Sequence, residues 1–185
     1  SWFFSGQKAG QLLDAGRGAL NIALPYMGKY RETLEEKTGR PTVSTDLPMG
    51  VHGTEQWLRE VGRAAGVKAE NIEKVIRDEK RKVEPIMNIT RRYISGWRSL
   101  VIQPAPLAAG CAALILDLGM RIETVALLCG SPGGREEFFR TLERVAGKAV
   151  PDGLDVIEDV SWADVKNLPE MIDDRKRKEA VIITP

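Results

Sequence analysis

The chain has one histidine, two cysteines, no excess charge of either sign and no long apolar run, and each shortage excludes something. Cys111 and Cys129 lie 18 positions apart with only His52 to assist them. A structural zinc or iron–sulfur site needs about four such ligands, so this stretch cannot build one alone. Both cysteines fall on apolar patterns and read as core thiols in a reducing compartment. Lys and Arg total 27 against 26 for Asp and Glu, a net charge of +1, which gives no global field for nucleic acid or a membrane surface. The basic runs Lys80-Arg81-Lys82 and Arg175-Lys176-Arg177-Lys178 have acids close by and read as solvated helix faces. No apolar segment approaches the ~20 residues that span a bilayer. No repeat, low-complexity tract, nucleophilic triad or spaced acid–base pair is present.

What is there is a soluble composition, 43% hydrophobic and 29% charged over 185 residues, enough for one good-sized core. Its last third has a clear rhythm. The β-branched run at 99–102 stops at Gln103-Pro104-Ala105-Pro106, and a helical pattern follows over 107–118, closed by Gly119. A second strand runs over 122–128 into Cys129-Gly130-Ser131-Pro132-Gly133-Gly134, then come helix 135–146, strand 154–157, helix 162–173 and strand 180–184. Strands separated by helices imply right-handed parallel crossovers, and so an α/β fold of three-layer Rossmann-like type, a mainly parallel sheet flanked by helices. Ser161 is the expected N-cap of the last helix, with Asp164 at its third position.

Upstream, 20–24 reads as a strand, 26–37 as a helix ended by Gly39 and Pro41, and 42–45 as a second strand, a βαβ element too small to bury itself. If a preceding domain is missing, these strands must pair with something, a second copy of the chain included. Thr54 is the expected N-cap of a helix carrying Trp57, Leu58, Val61 and Ala65 on one face. A longer helix over 70–94 repeats Ile72, Val75, Ile76, Val83, Ile86 and Ile89 at three- and four-residue steps, with a kink expected at Pro85. The boundaries implied are 1–48 for the end of a preceding Rossmann-like domain, 49–97 for a helical connector and 98–185 for a Rossmann-like domain. Trp2, Phe3 and Phe4 read as residues covered by other chain.

In open parallel sheets, ligands bind beyond the carboxyl ends of the strands, which singles out the loops at 103–106 and 130–134. Gly130, Ser131 and the following glycines could cradle a phosphate ahead of a helix, or form a bare tight loop; the spacing is not a G-x-G-x-x-G fingerprint. His52, between Gly50 and Gly53 ahead of a helix, is placed to reach a ligand and has little to pack against, though a capping or solvent-facing role fits it equally.

Several stretches resemble one family. They are Leu-Asn-Ile-Ala-Leu-Pro-Tyr from residue 20, Glu-Thr-Leu-Glu-Glu-Lys-Thr-Gly-Arg-Pro ending at 41, and Pro-Met-Gly-Val-His-Gly-Thr-Glu-Gln-Trp-Leu over 48–58. Gly-Trp-Arg-Ser-Leu-Val-Ile from 96 and Leu-Asp-Leu-Gly-Met over 116–120 complete the set. Together they are similar to the nitrogenase component 1 type oxidoreductases, which include molybdenum–iron protein subunits, cofactor-assembly scaffolds and dark-operative protochlorophyllide and chlorophyllide reductases. The resemblance implies a fragment of a cytoplasmic subunit, not catalytic by itself. The whole protein would work with a sister component 1 subunit and accept electrons from an ATP-dependent, nitrogenase-reductase-like iron–sulfur protein. An iron–sulfur cluster is then expected in the full-length protein, with none bound by this stretch. Pro25-Tyr26 stands where cofactor-ligating subunits carry a Cys, which points away from direct ligation here. The resemblance places Gln103, Pro104, Ala105, Gly130, Ser131 and His52 along the wall of a cleft for a metallocluster or tetrapyrrole-type substrate, with Gln103 as the polar group. Two other functions stay open: a non-catalytic scaffold for metallocluster assembly, and a generic nucleotide-binding module using the loop at 130–134.

Overall fold

The computed structural model of the chain describes residues 18–25, 28–128, 133–165 and 180–183. In order, the elements are β1 (Asn21–Ala23), α1 (Gly28–Thr38), β2 (Thr42–Ser44), α2 (Gly50–Ala64), α3 (Ala69–Ile94), β3 (Arg98–Gln103) and α4 (Ala105–Asp117). They continue as β4 (Arg121–Leu128), α5 (Gly134–Ala146), β5 (Asp155–Val160), α6 (Trp162–Val165) and β6 (Ala180–Ile183). The small βαβ unit forms as expected: β1 and β2 pair in parallel, Ile22 opposite Val43. Asn21 ties it together, donating through Nδ2 to the Thr38 hydroxyl at 2.8 Å, which in turn donates to the Leu34 carbonyl at 2.7 Å.

The main sheet is wholly parallel, in the order β5-β4-β3-β6. Its apolar runs bury both faces, as a parallel sheet sandwiched between layers requires. Val101, Val125, Leu127 and Val156 point to one side, where they meet Ala108, Ala112, Ile115, Phe138, Leu142 and Val145 of α4 and α5. Leu100, Ile102, Ala126, Leu128 and Val160 form a second cluster on the other side. Alanine at 108, 109, 112 and 113 lets α4 lie close against the sheet and α5. The register slips between Ala126 and Leu128, where Asp159 adopts φ +56° in the partner strand. This bulge turns Val160 to the face opposite Val156.

The strand order sets where a crevice can open. The chain steps outward from β3 to β4 to β5, then returns to place β6 on the other edge of β3. The direction of winding therefore reverses between β3 and β6, the topological switch point of the sheet.

One expectation is corrected. Helix α2 starts at Gly50, not after Thr54, whose hydroxyl donates to the Gly50 carbonyl at 2.7 Å inside the first turn. Helix α3 runs unbroken through Pro85. Its apolar repeat is inward only at its start: Ile72 and Ile76 are buried, while Val75, Val83, Ile86 and Ile89 are exposed. Trp2, Phe3, Phe4, Cys129 and helix 162–173 beyond Val165 lie outside the described residues.

Candidate functional site

Because every crossover in the main sheet is parallel, α4 and α5 run antiparallel to the strands. Their N-termini open on the carboxyl rim of the sheet and their C-termini on the amino rim. The six residues read from the sequence divide between these rims. Gln103, Pro104 and Ala105 stand on the carboxyl rim, His52 on the amino rim, and Gly130 and Ser131 lie outside the described residues.

On the amino rim, α2 docks end-on against the C-termini of α4 and α5. The contact needs glycine. A Cβ on Gly50, already at φ +71°, would sit 3.0 Å from Asp117 Oδ2, and one on Gly53 would sit 3.4 Å from Val145. The Val51 N–H donates to Asp117 Oδ2 at 2.6 Å, so the cap of α2 comes from a side chain 66 residues away. An acid at the C-terminus of α4 opposes that helix's own dipole, and cations answer it. Arg91 donates Nε–H to the Asp117 carbonyl at 2.6 Å, and Lys148 donates to the Leu116 carbonyl at 3.3 Å while lying 3.4 Å from Asp117 Oδ1. His52 does find a packing partner: its ring lies across Gly147, where a Cβ would be 2.5 Å from Cγ. His52 Nε2 also lies 2.8 Å from Gln56 Nε2, one turn along the same helix. The imidazole also borders a cavity of about 500 Å³ between α2 and α3, walled by Val51, Leu58, Ile76, Val83, Met87 and Leu114.

On the carboxyl rim the two helix N-termini differ. That of α5 is already filled. Arg135 N–H donates to Glu158 Oε1 at 2.9 Å, and the Arg135 guanidinium donates to the Val156 carbonyl at 3.2 Å while stacking 5.7 Å from the Phe139 ring centroid. Glu136 and Glu137 occupy the same first turn. A phosphate there would have to displace one carboxylate and face two more, which weighs against the nucleotide-module reading.

The N-terminus of α4 has no side-chain cap, its N-cap being Pro104. Pro104 and Pro106 lack N–H groups, and Ala108 N–H is held by the Pro104 carbonyl at 2.8 Å, so few donors remain for an anion. Gln103 ends β3 at the switch point, 3% exposed, and its buried Oε1 has no hydrogen-bond partner among the described residues. Buried polar atoms are nearly always paired, so an orphan at this point of the sheet marks a place where another molecule or another part of the protein supplies a donor. With few donors left at the α4 N-terminus, the site is poorly suited to a phosphate. Among the described residues no three His, Cys, Asp or Glu side chains gather as a metal site, so no chemistry is routed through a metal held by them. Also among the described residues, no helix is long and apolar enough to cross a membrane.

Asp117, Glu158, Arg91 and Lys148 were not singled out in the sequence. Asp117 left a trace there, a carboxylate in the last turn of an apolar helix where the dipole disfavours it.

Parallel sheets flanked by helices, with a topological switch point between β3 and β6, define an α/β protein of Rossmann-like type. The family model for nitrogenase component 1 type oxidoreductases matches residues 2–183, and the chain belongs to that family. It is 27% identical over 158 residues to the light-independent protochlorophyllide reductase subunit N of Rhodopseudomonas palustris strain BisA53, covering 83% of this chain and 36% of the relative. It is 24% identical over 150 residues to the nitrogenase molybdenum–iron protein beta chain of Methanococcus maripaludis, covering 80% of this chain and 31% of that one. The chain thus spans about a third of the length of these relatives. Among solved structures, nitrogenase Cp1 at pH 6.5 superposes with a TM-score of 0.65 at 19% identity, over 91% of this chain and 38% of the neighbour, a likeness of fold.

Proposed function

We propose that this chain forms one wall of a redox pocket in a nitrogenase-like component 1 subunit, with Gln103, Pro104 and Ala105 facing the bound group. The observation that carries this reading is the orphan Gln103 carbonyl at the switch point, beside a helix N-terminus left uncapped. The family membership supplies the chemistry. Electrons would come from an ATP-dependent iron–sulfur reductase, through a cluster held by parts of the full-length cytoplasmic protein beyond this stretch and by its sister subunit. The acceptor would be a metallocluster or a tetrapyrrole-type substrate. Residues 1–48 would complete a preceding domain, 49–97 connect, and 98–185 carry the pocket wall.

The test is anaerobic reconstitution of the complete polypeptide with its neighbouring subunit, followed by iron analysis, EPR and turnover with the reductase and ATP. Gln103→Leu should leave iron content and the EPR signal intact and lower turnover about tenfold, the loss expected when a bound group's donor loses its acceptor. Unchanged turnover would remove Gln103 from the pocket. Absence of iron in a stable complex would remove the redox reading.

A further inference from the structure

Helix α4 is gripped on one face by the segment that enters α2. Gly110 is buried, and a Cβ there would lie 2.8 Å from Met49 Sδ, 3.1 Å from Met49 Cβ and 3.3 Å from its Cγ. Rotating the side chain would relieve the first contact but not the second, because the backbone holds Cβ. Glycine is among the poorest residues for a helix interior, and here it stands between Ala108-Ala109 and Ala112-Ala113, where alanine would form the helix better. The exception opens a notch in which the Met49 side chain sits. Gly50 against Leu114 and Asp117, and the Val51 N–H on Asp117, continue the grip along positions 110, 114 and 117, one face of the helix.

The gripping segment comes from the small βαβ unit. After β2, the Thr45 N–H donates to the Ala23 carbonyl at 3.1 Å, and Asp46 accepts from Arg144 Nε and Nη2 on α5, each at 2.9 Å, before the chain reaches Met49. At its other end, α4 joins β3 through Gln103-Pro104-Ala105-Pro106. Both prolines have φ fixed by their rings, and Gln103, preceding one of them, is held extended. The Ala108 N–H, on the Pro104 carbonyl at 2.8 Å, ties the first turn to this junction. So short and stiff a junction absorbs little displacement. A shift of α4 at Gly110, about 7.5 Å from Ala105 along the axis, therefore reaches the strand end. We propose that Met49 is a positioning residue for the pocket wall: seated on Gly110, it links the exit of the small βαβ unit to α4 and sets where Gln103, Pro104 and Ala105 stand. The inference rests on the reading of those residues as the pocket wall.

The test uses the complete polypeptide with its neighbouring subunit. In a Gln103→Cys background, the new thiol is alkylated with iodoacetamide and the rate at that position is followed by mass spectrometry. Met49→Ala and Gly110→Ala should each change this rate by about threefold or more, and in the protein with Gln103 intact each should lower turnover. Met49→Leu, which nearly keeps the volume, should change neither. Leu154→Ala is the control: it opens a cavity elsewhere in the same core, just ahead of β5, and should cost stability without moving the rate. Met49→Ala removes contacts and adds none, so the outcome does not depend on whether Gly110→Ala folds. An unchanged rate in Met49→Ala, or a change as large in Leu154→Ala, would overturn the inference. If the rate moves while turnover is indifferent to Gln103→Leu, the pocket reading falls and leaves Met49 nothing to position. If turnover needs Gln103 and the rate stays still, this inference alone falls.

Discussion

The two rims of the main sheet are finished differently. On the amino rim, the groups at the helix ends answer one another: Asp117 caps α2, while Arg91 and Lys148 take the last carbonyls of α4. On the carboxyl rim, α5 is capped by Glu158 but α4 is not, and Gln103 holds a carbonyl that receives no donor from the described residues. Gln103 Oε1 is not alone in this, since Trp57 Nε1 of α2 and Thr45 Oγ1 also lack partners among the described residues, so the contrast lies in the groups at the helix ends. Mutations should therefore separate the rims by the sign of their effect on folding.

The largest effect is expected on the amino rim. Gly147→Val places a β-branched side chain at φ +60° and drives its Cβ into the His52 ring, 2.5 Å from Cγ. Equilibrium urea unfolding should show a loss of about 2–4 kcal/mol. A neutral outcome would mean that α2 is not seated on α5 as described. Asp117→Ala comes next. It strands the Val51 N–H and leaves Lys148 without its carboxylate, a loss of about 1–3 kcal/mol by the same measurement. On the carboxyl rim, Gln103→Leu should have the opposite sign, leaving stability unchanged or raising it by up to about 1 kcal/mol, because an apolar side chain replaces an unpaired carbonyl. A destabilised Gln103→Leu protein would show that Oε1 is paired in the folded chain and erase the contrast.

The smallest effect concerns pH. Burial, reinforced by the nearby Asp46 carboxylate and opposed by Arg63 and Arg144, raises Glu60 above its ordinary pKa of 4.5. The folded state thus holds this proton more tightly than the unfolded chain does, and ionising Glu60 costs stability as pH rises past 4.5. Glu60→Gln should stabilise at neutral pH, and the gain should fade as pH falls towards 4.5 and vanish below it. Thermal melts of both proteins across that range would show a constant difference if Glu60 titrates normally.

Much of this was legible from local pattern. The β-branched runs at 99–102 and 122–128, buried on both faces, read as parallel strands, and Gly119 ended α4 where expected, at φ +74°. Ser161 and Asp164 do bond, although the Ser161 N–H and hydroxyl both donate to the Asp164 carboxylate, at 3.1 and 2.5 Å. The misreadings share a cause. Thr54 looked like a cap because capping is usually local, but Asp117 supplies it from 66 residues away. The repeat of Val83, Ile86 and Ile89 left their burial open, because helical spacing reports that a face is apolar, not that the protein itself covers it. His52 looked short of packing partners because Gly147, on which its ring lies, is distant in sequence.

The sequence by itself determined the α/β class, the parallel sheet and the family, because those follow from periodicity and from motifs that are contiguous along the chain. Only the tertiary structure decided which helix ends are capped, and by which residues. The Asp117 cap of α2 and the Glu158 carboxylate at the first turn of α5 depend on residues that meet through folding, and hydrogen bonding is settled by distance in space, not by distance along the chain.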